Sequence, residues 1–145
     1  MKLRVKLERV PNLNLFYMND LTYIIDDDSI FVFVFKKILK KNDDTREIVN
    51  IQNGQDAINV LQTIYNNKQK LPDLIFLDLN MPVLDGWQFL DELEKLPFKD
   101  DLKIYIISST IDSNEIEKAK NYSCVKSFIS KPINGADLAR ILEEN

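Results

Sequence analysis

The fold is decided by a short apolar run that stops at a carboxylate, Leu74-Ile75-Phe76-Leu77-Asp78. Apolar runs of this length are typical of strands that are buried on both faces of a parallel sheet. Three further apolar runs also stop at polar groups, the first at Asp26, the second at Ser108 and the third at Lys131. Because the carboxyl ends of parallel strands meet at one edge of the sheet, where ligands bind, we expect these polar groups to lie together.

Five predicted strands alternate with five predicted helices from Leu21 onward. The strands are expected at Thr22–Ile25, Glu47–Ile51, Leu74–Leu77, Ile104–Ile107 and Ser127–Ile129. The helices are expected at Ser29–Lys41, after Gly54, from near Gly86 to a stop at Pro97, near Ser113–Asn121 and at Asn134–Glu143. This alternation predicts an α/β fold with a doubly wound, five-stranded parallel sheet and five helices on its two faces.

The composition of the first helix is ambiguous between a strand and a helix. Its run Ile30-Phe31-Val32-Phe33-Val34-Phe35 favours a strand by propensity. A helix is nevertheless predicted, because apolar residues recur at helical spacing and four lysines, Lys36, Lys37, Lys40 and Lys41, cover the polar face. The expected inward stripe is Phe31, Val34, Phe35, Ile38 and Leu39. Asp28 or Ser29 is expected to cap the first turn.

Length and composition exclude several classes of function. The chain has 145 residues, 45% of them hydrophobic, which suits one domain with its own core. Its formal net charge of −4 argues against direct contact with nucleic acid, and no apolar stretch is long enough to span a membrane. The absence of histidine excludes Ser-His-Asp catalysis and a histidine phosphodonor. The single cysteine, Cys124, is expected to be a half-buried packing residue in a cytoplasmic protein.

The chain is expected to divide near residue 20. Residues 1–20 form an N-terminal extension of unknown role, rich in lysine and arginine and compatible with an additional edge strand. Residues 21–145 contain every predicted element of the α/β domain.

The polar groups at the strand ends suit a divalent cation and a phosphoryl group. Asp26, Asp27 and Asp78 offer the carboxylate oxygens that Mg²⁺ takes, and Mg²⁺ needs only one or two of them plus phosphate oxygens. Ser108 can donate a hydrogen bond to a phosphoryl oxygen, and Lys131 can pair with it. Taken singly, each feature has a plainer interpretation as a polar turn, a helix cap or a solvated charge. Four such features in order at four strand ends favour one site.

Four segments carry a resemblance to a known family: Ile25-Asp26-Asp27-Asp28, Leu77-Asp78-Leu79-Asn80-Met81-Pro82-Val83-Leu84-Asp85-Gly86, Ile107-Ser108-Ser109 and Phe128-Ile129-Ser130-Lys131-Pro132. Over about residues 21–144 the chain resembles the receiver domain of two-component response regulators, in the stand-alone form of chemotaxis regulators. The resemblance implies a flavodoxin-like sheet in the order 2-1-3-4-5.

The resemblance also implies a role for each site residue. Asp78 would be the phosphoacceptor, and Lys131 would contact the phosphoryl group. Mg²⁺ would be bound by Asp78, directly by Asp27, partly through water by Asp26, and by the backbone carbonyl of Asn80. Ser108 would supply the switch hydroxyl.

Phe128 occupies the position of the family's switch aromatic. The protein would then be no enzyme but a phosphoacceptor switch, and it would control a downstream protein through the surface of helix four, strand five and helix five. Its donor would be a sensor histidine kinase or a histidine phosphotransfer protein. It would act as a monomer or as a phosphorylation-dependent dimer, with no nucleic acid or membrane partner.

Three other classes compete with this interpretation. A phosphohydrolase with an aspartyl-phosphate intermediate typically has a second aspartate where this chain has Asn80. A flavin-binding module of the same fold would place a phosphate beside Asp26-Asp27-Asp28, whose charges would repel it. A receiver-like domain that has lost phosphoacceptance would not be expected to keep the complete acidic and lysine set.

Overall fold

The structure is a computed structural model that describes residues 20–145. The expected N-terminal extension, residues 1–20, therefore lies outside the described residues except for Asp20. The strands are β1 Leu21–Ile25, β2 Glu47–Ile51, β3 Leu74–Asp78, β4 Ile104–Ser108 and β5 Val125–Ser130. The helices are α1 Ser29–Asn42, α2 Gly54–Asn66, α3 Gly86–Glu94, α4 Ser113–Ala119 and α5 Gly135–Glu144, with a short 3₁₀ turn at Lys99–Asp101.

The five strands form one parallel sheet in the order β2-β1-β3-β4-β5, which confirms the predicted topology. Its register brings the strand ends level at one edge. Ile25 pairs with Leu77, Asp78 pairs with Ile107, and Ser108 pairs with Ser130. Asp78 and Ser108 are the last residues of their strands, rather than the first residues after them as predicted.

Two apolar layers cover the sheet, one on each face. The layer against α2 and α3 contains Leu61 and Phe89, together with Ile75 and Leu77 of the central strand. The opposite layer lies under α1 and α5 and contains Phe76 of the same strand. Successive residues of β3 therefore point to opposite layers, which explains why this strand reads as continuously apolar.

Helix α1 confirms the helical prediction but presents a different face. The Asp28 carboxylate caps it by accepting hydrogen bonds from the backbone N–H groups of Ile30 and Phe31, each at 3.1 Å. Val34, predicted to face inward, is 50% exposed, whereas Val32 is buried. The prediction failed at this position because every residue from 30 to 35 is apolar, so the pattern alone does not select the buried side.

Several smaller expectations have also been tested. Asn134 caps α5 as predicted, and α3 ends at Glu94, before Pro97. Cys124 is 3% exposed, so it is fully buried rather than half-buried. Helix α4 is two residues shorter than predicted. Within the described residues, none of the helices combines the length and hydropathy required to cross a membrane.

Candidate functional site

Three carboxylates meet at the carboxyl edge of the sheet, as the sequence predicts. Asp26 follows β1 directly, Asp27 comes next, and Asp78 ends the neighbouring strand β3. One oxygen from each lies within 4.8 Å of the others. Asp26 and Asp78 are buried, whereas Asp27 is exposed. Like charges at this separation repel one another, so the arrangement favours a bound cation.

Asp26 is held firmly but retains hydrogen-bonding capacity. Its Oδ1 accepts a hydrogen bond from the backbone N–H of Asp28 at 2.9 Å, and its side chain is completely buried. Its Oδ2 lies 2.8 Å from the Lys131 ammonium, but that ion pair lacks hydrogen-bond geometry and Oδ2 has no hydrogen-bond partner among the described residues. Three carboxylates around one ammonium leave net negative charge at this edge, so the ligand set fits an additional cation.

Lys131 is anchored by its backbone and placed between two carboxylates. Its N–H donates a hydrogen bond to the carbonyl of Ser108 at 2.9 Å, and the peptide bond to Pro132 is cis. The ammonium lies 2.8 Å from Asp26 and 3.8 Å from Asp78. It also lies 4.3 Å from the centre of the Phe31 ring.

Asp78 has an unusual protonation equilibrium. Its pKa is raised from 3.8 to about 6, chiefly by burial and next by the charge of Asp26. The Lys131 ammonium and the backbone N–H of Asn80 oppose this rise, and Asp27 adds to it. At neutral pH the Asp78 carboxylate is therefore mostly ionised but poorly compensated by its surroundings.

The loop between β3 and α3 is held close to the site. Leu84 donates to the carbonyl of Pro82 at 2.9 Å across Val83, whose φ is +68°, so Val83 is the centre of a γ-turn. A Cβ at Gly54 would lie 2.5 Å from the Leu84 carbonyl oxygen, and one at Gly86 would lie 2.7 Å from that of Asp78. Glycine at both positions therefore lets this loop, which carries Asn80, pack against the sheet and α2.

Ser108 lies at the end of β4 but is engaged with its own loop. Its side chain is 1% exposed, and its Oγ donates to the carbonyl of Thr110 at 2.6 Å and accepts from the N–H of Thr110 at 3.3 Å. The register places Ser108 one residue beyond the level of Asp78 on the adjacent strand. The sequence identified the residue but not its local hydrogen bonds.

Phe128 lies in the middle of β5, opposite Ile106 of β4. It is half-buried and packs against the α2–α3 layer. It also lines a groove of about 420 Å³ between α4 and β5, together with Ile111, Ile116 and Val125. Its ring therefore connects the sheet interior with the surface around α4.

One neighbour of the site escaped the sequence analysis. Phe31 was assigned only to the buried stripe of α1, but its ring lies against the Lys131 ammonium. A phenylalanine in a helical apolar pattern indicates packing. The pattern contains no information about the cation that the ring contacts, Lys131, which follows β5 one hundred residues later in the chain.

Comparison with known proteins agrees with this geometry. The family model of the response regulator receiver domain matches residues 22–143. The chain belongs to the response regulator receiver family. Receiver domains accept phosphoryl groups from histidine kinases and bind a divalent metal ion, and the receiver is a phosphoacceptor without a dedicated catalytic activity of its own.

Individual relatives support the same assignment. Response regulator Rcp1 of Synechocystis sp. is 29% identical over 83% of this chain and 82% of its own length. A two component response regulator from Cytophaga hutchinsonii has a TM-score of 0.78 and 29% identity, covering 87% of this chain and 96% of its own. The phosphorylated cyanobacterial phytochrome response regulator RcpA has a TM-score of 0.72 and 25% identity, covering 87% and 90%. Other relatives are much longer, and the receiver matches as little as 7% of their length.

Proposed function

We propose that this receiver takes a phosphoryl group onto Asp78 and passes the signal to a protein partner. The observation that carries this proposal is the buried Asp78 carboxylate at the end of β3, clustered with Asp26 and Asp27 and 3.8 Å from the Lys131 ammonium. Among residues 20–145, no other side-chain cluster combines a carboxylate nucleophile, cation ligands and a fixed ammonium in this way.

The proposed metal is Mg²⁺, bound by Asp26, Asp27, Asp78 and the backbone carbonyl of Asn80. The fit rests on the three clustered carboxylates, whose negative charge exceeds what the single Lys131 ammonium offsets. When bound, Mg²⁺ supplies positive charge that offsets the carboxylates and the phosphoryl oxygens. Asp26, with both oxygens fixed at the base of the site, would keep the ligand set in place.

The proposed reaction is in-line transfer from a phosphohistidine. An Asp78 carboxylate oxygen attacks phosphorus and forms a P–O bond, while the P–N bond breaks and its electron pair returns to the imidazole nitrogen, which then takes up a proton. Lys131 would pair with the transferred oxygens, a role supported by its backbone hydrogen bond to Ser108 and by its ammonium, which lies 3.8 Å from Asp78. The donor would be a sensor histidine kinase or a histidine phosphotransfer protein.

The proposed output is a change at the surface formed by α4, β5 and α5. An added phosphoryl group would offer acceptor oxygens to the Ser108 hydroxyl, which would leave Thr110 to reach them. Phe128 would then take a new position at the groove that it lines. Such a change biases a two-state surface and so alters affinity for a downstream protein or for a second copy of the receiver.

The first test is an intact-mass measurement after incubation with acetyl phosphate and Mg²⁺. We expect one labile phosphoryl adduct on the wild-type protein and none on Asp78→Asn, because the amide is not a nucleophile for phosphorus. Asp44→Asn is the matched control, since Asp44 is an exposed aspartate remote from the carboxyl edge. A folded wild-type protein that forms no adduct with acetyl phosphate or with a panel of phosphorylated kinases would refute the proposal.

A second test distinguishes a role of Lys131 in phosphorylation from a role in folding. Lys131→Ala should still fold and bind Mg²⁺, because Lys131 lies at the edge of the core, but its phosphorylation should be slower and should no longer alter the amide spectrum of α4 and β5. Wild-type rates and spectral changes in Lys131→Ala would remove this residue from the proposed mechanism.

A further inference from the structure

The Lys131 ammonium has a third neighbour besides its two carboxylates. The ring centre of Phe31 lies 4.3 Å from Nζ, well inside the distance at which the negative face of an aromatic ring attracts a cation. The Lys131 side chain is 16% exposed, so water reaches the ammonium on few sides. The ring thus covers part of the cation that the two carboxylates leave uncovered.

Contacts of both its backbone and its ring fix Phe31 in this position. Its backbone N–H is capped by Asp28, one residue after the carboxylate pair of the site. Its ring packs against Phe35 at a centroid distance of 5.4 Å, and Phe35 in turn packs edge-on against Phe76 of β3 at 4.8 Å. A row of three rings therefore connects the ammonium to the core strand that ends in Asp78.

Packing alone does not require an aromatic side chain here. Phe31 is half-buried and lies at the border of its apolar layer, so a leucine would cover much the same surface. Leucine has no π face, however, and would leave the ammonium to hydration or to movement toward solvent. Phenylalanine differs from leucine at this position in its contact with the Phe35 ring and in its attraction for the Lys131 charge, and only the second bears on the site.

This contact bears on the state that Lys131 must adopt for phosphoryl transfer. The ammonium lies 2.8 Å from Asp26 but 3.8 Å from Asp78, so it has to remain near Asp78 although Asp26 holds it more closely. A ring beside the lysine restricts its movement away from both carboxylates without adding a competing negative charge. It also means that part of the ammonium is already desolvated before an anionic group arrives.

We propose that Phe31 is a positioning residue for phosphoryl transfer, which holds the Lys131 ammonium toward Asp78 through a cation–π contact. This inference rests on the proposed function of the site. Phe31 touches neither the phosphoryl group nor the metal and acts only through Lys131.

The test uses substitutions that separate the ring face from apolar volume. Phe31→Leu keeps an apolar side chain of somewhat smaller volume and removes the π face, whereas Phe31→Tyr keeps the aromatic ring. Phe33→Leu is a matched control, because Phe33 lies on the same helix, is 61% exposed, and has its own cation–π contact with Lys37 at 4.6 Å. The measured quantity is the phosphorylation rate constant with saturating Mg²⁺ and limiting acetyl phosphate, followed by intact mass.

We expect Phe31→Leu to be phosphorylated about three- to tenfold more slowly, the scale of one partly buried cation–π contact. Phe31→Tyr and Phe33→Leu should retain rates within about twofold of wild type. The inference fails if Phe31→Leu reacts at the wild-type rate, if Phe31→Tyr is as slow as Phe31→Leu, or if Phe33→Leu is equally slow.

A readout independent of phosphorylation completes the test. Ring currents from Phe31 should shift the NMR signals of the Lys131 side chain upfield, and Phe31→Leu should abolish this shift while Phe33→Leu changes only Lys37. Failure of the wild type to accept a phosphoryl group, with the Lys131 shift present, would refute the proposed function rather than the contact. Absence of the shift in the folded wild type would refute the contact itself.

Discussion

Asp78 carries the main electrostatic cost of this site at the level of single residues. Its pKa of about 6 against an ordinary 3.8 means that the folded protein binds the Asp78 proton more tightly than the unfolded chain does. Asp78 is 6% exposed, so solvent screening of this effect is limited. Ionisation of the carboxyl therefore opposes folding.

The pH dependence of stability follows from this sign. In metal-free protein, the Asp78 contribution is fully favourable below about pH 4 and is lost as pH rises through about 6, a change of about 2 to 3 kcal/mol. We expect Asp78→Asn to exceed the wild type in free energy of unfolding by a margin that grows between pH 4 and pH 6.5. Urea denaturation in EDTA measures this margin, and a margin independent of pH would contradict the prediction.

Val83 stores strain close to the site. It is a β-branched residue with φ of +68°, and its side chain is 81% exposed, so packing does not compensate the backbone cost. We expect Val83→Gly to raise the free energy of unfolding by about 1 kcal/mol, because glycine adopts positive φ freely and the gain exceeds its entropic cost. Val83→Ala, which keeps a Cβ, should gain less. Thermal unfolding of the two variants and the wild type measures these differences in stability. Destabilisation by Val83→Gly would show that the loop is not strained.

Among the elements, α4 is the helix with the least apolar anchoring. Of its seven residues only Ala119 is buried, and Ile116 is 42% exposed. It is connected to α3 by side chains, with Lys118 lying 4.4 Å from the Trp87 ring. Just beyond α4, Tyr122 donates a hydrogen bond to Asp91 of α3 at 2.6 Å. Such an element can move at small cost, which suits the proposed output surface.

Hydrogen exchange tests this account of α4. Its amides should exchange faster than those of α2 or α3, and Tyr122→Phe should accelerate them further, because it removes the hydrogen bond to Asp91. The global free energy of unfolding should fall by about 1 kcal/mol. Tyr65→Phe is the control, since Tyr65 is exposed and stacks on Phe98 away from α4. Slow exchange throughout α4 in the wild type would contradict the prediction.

At the scale of the whole molecule, the carboxyl edge concentrates negative charge that a divalent cation would relieve. Three carboxylates cluster there, and the Lys131 ammonium lies within 4 Å of two of them, Asp26 and Asp78. A ligand at one hundred times its dissociation constant stabilises a folded protein by about 2.7 kcal/mol. Saturating Mg²⁺ is therefore expected to raise the melting temperature of the wild type, and EDTA should reverse the effect.

Asp27→Ala should weaken this stabilisation by Mg²⁺, because Asp27 is the exposed member of the cluster and the proposed direct ligand. Asp44→Ala should respond to Mg²⁺ as the wild type does, since its carboxylate is exposed and outside the cluster. Differential scanning calorimetry across a Mg²⁺ titration measures both. Identical Mg²⁺ responses in Asp27→Ala and the wild type would exclude Asp27 as a ligand.

The architecture could be predicted from the sequence because the strand pattern and the helix pattern are both periodic and local. Alternating strand and helix patterns specify βαβ units, and parallel units bring their carboxyl ends to one edge. For that reason Asp26, Asp78 and Lys131 were expected together and are found together. The buried side of α1 was predicted less well, because residues 30–35 are all apolar and none of them marks the solvent side.

What the sequence alone determined was therefore the order of elements, the sheet, and the meeting of Asp26, Asp78 and Lys131 at its carboxyl edge. The tertiary structure decided how those members interact: the closer approach of Lys131 to Asp26 than to Asp78, the raised pKa of Asp78, and the ring of Phe31 against the ammonium. These features depend on distances of a few ångströms between residues far apart in the chain. Such distances are set by packing of the complete core, and no local pattern in the sequence encodes them.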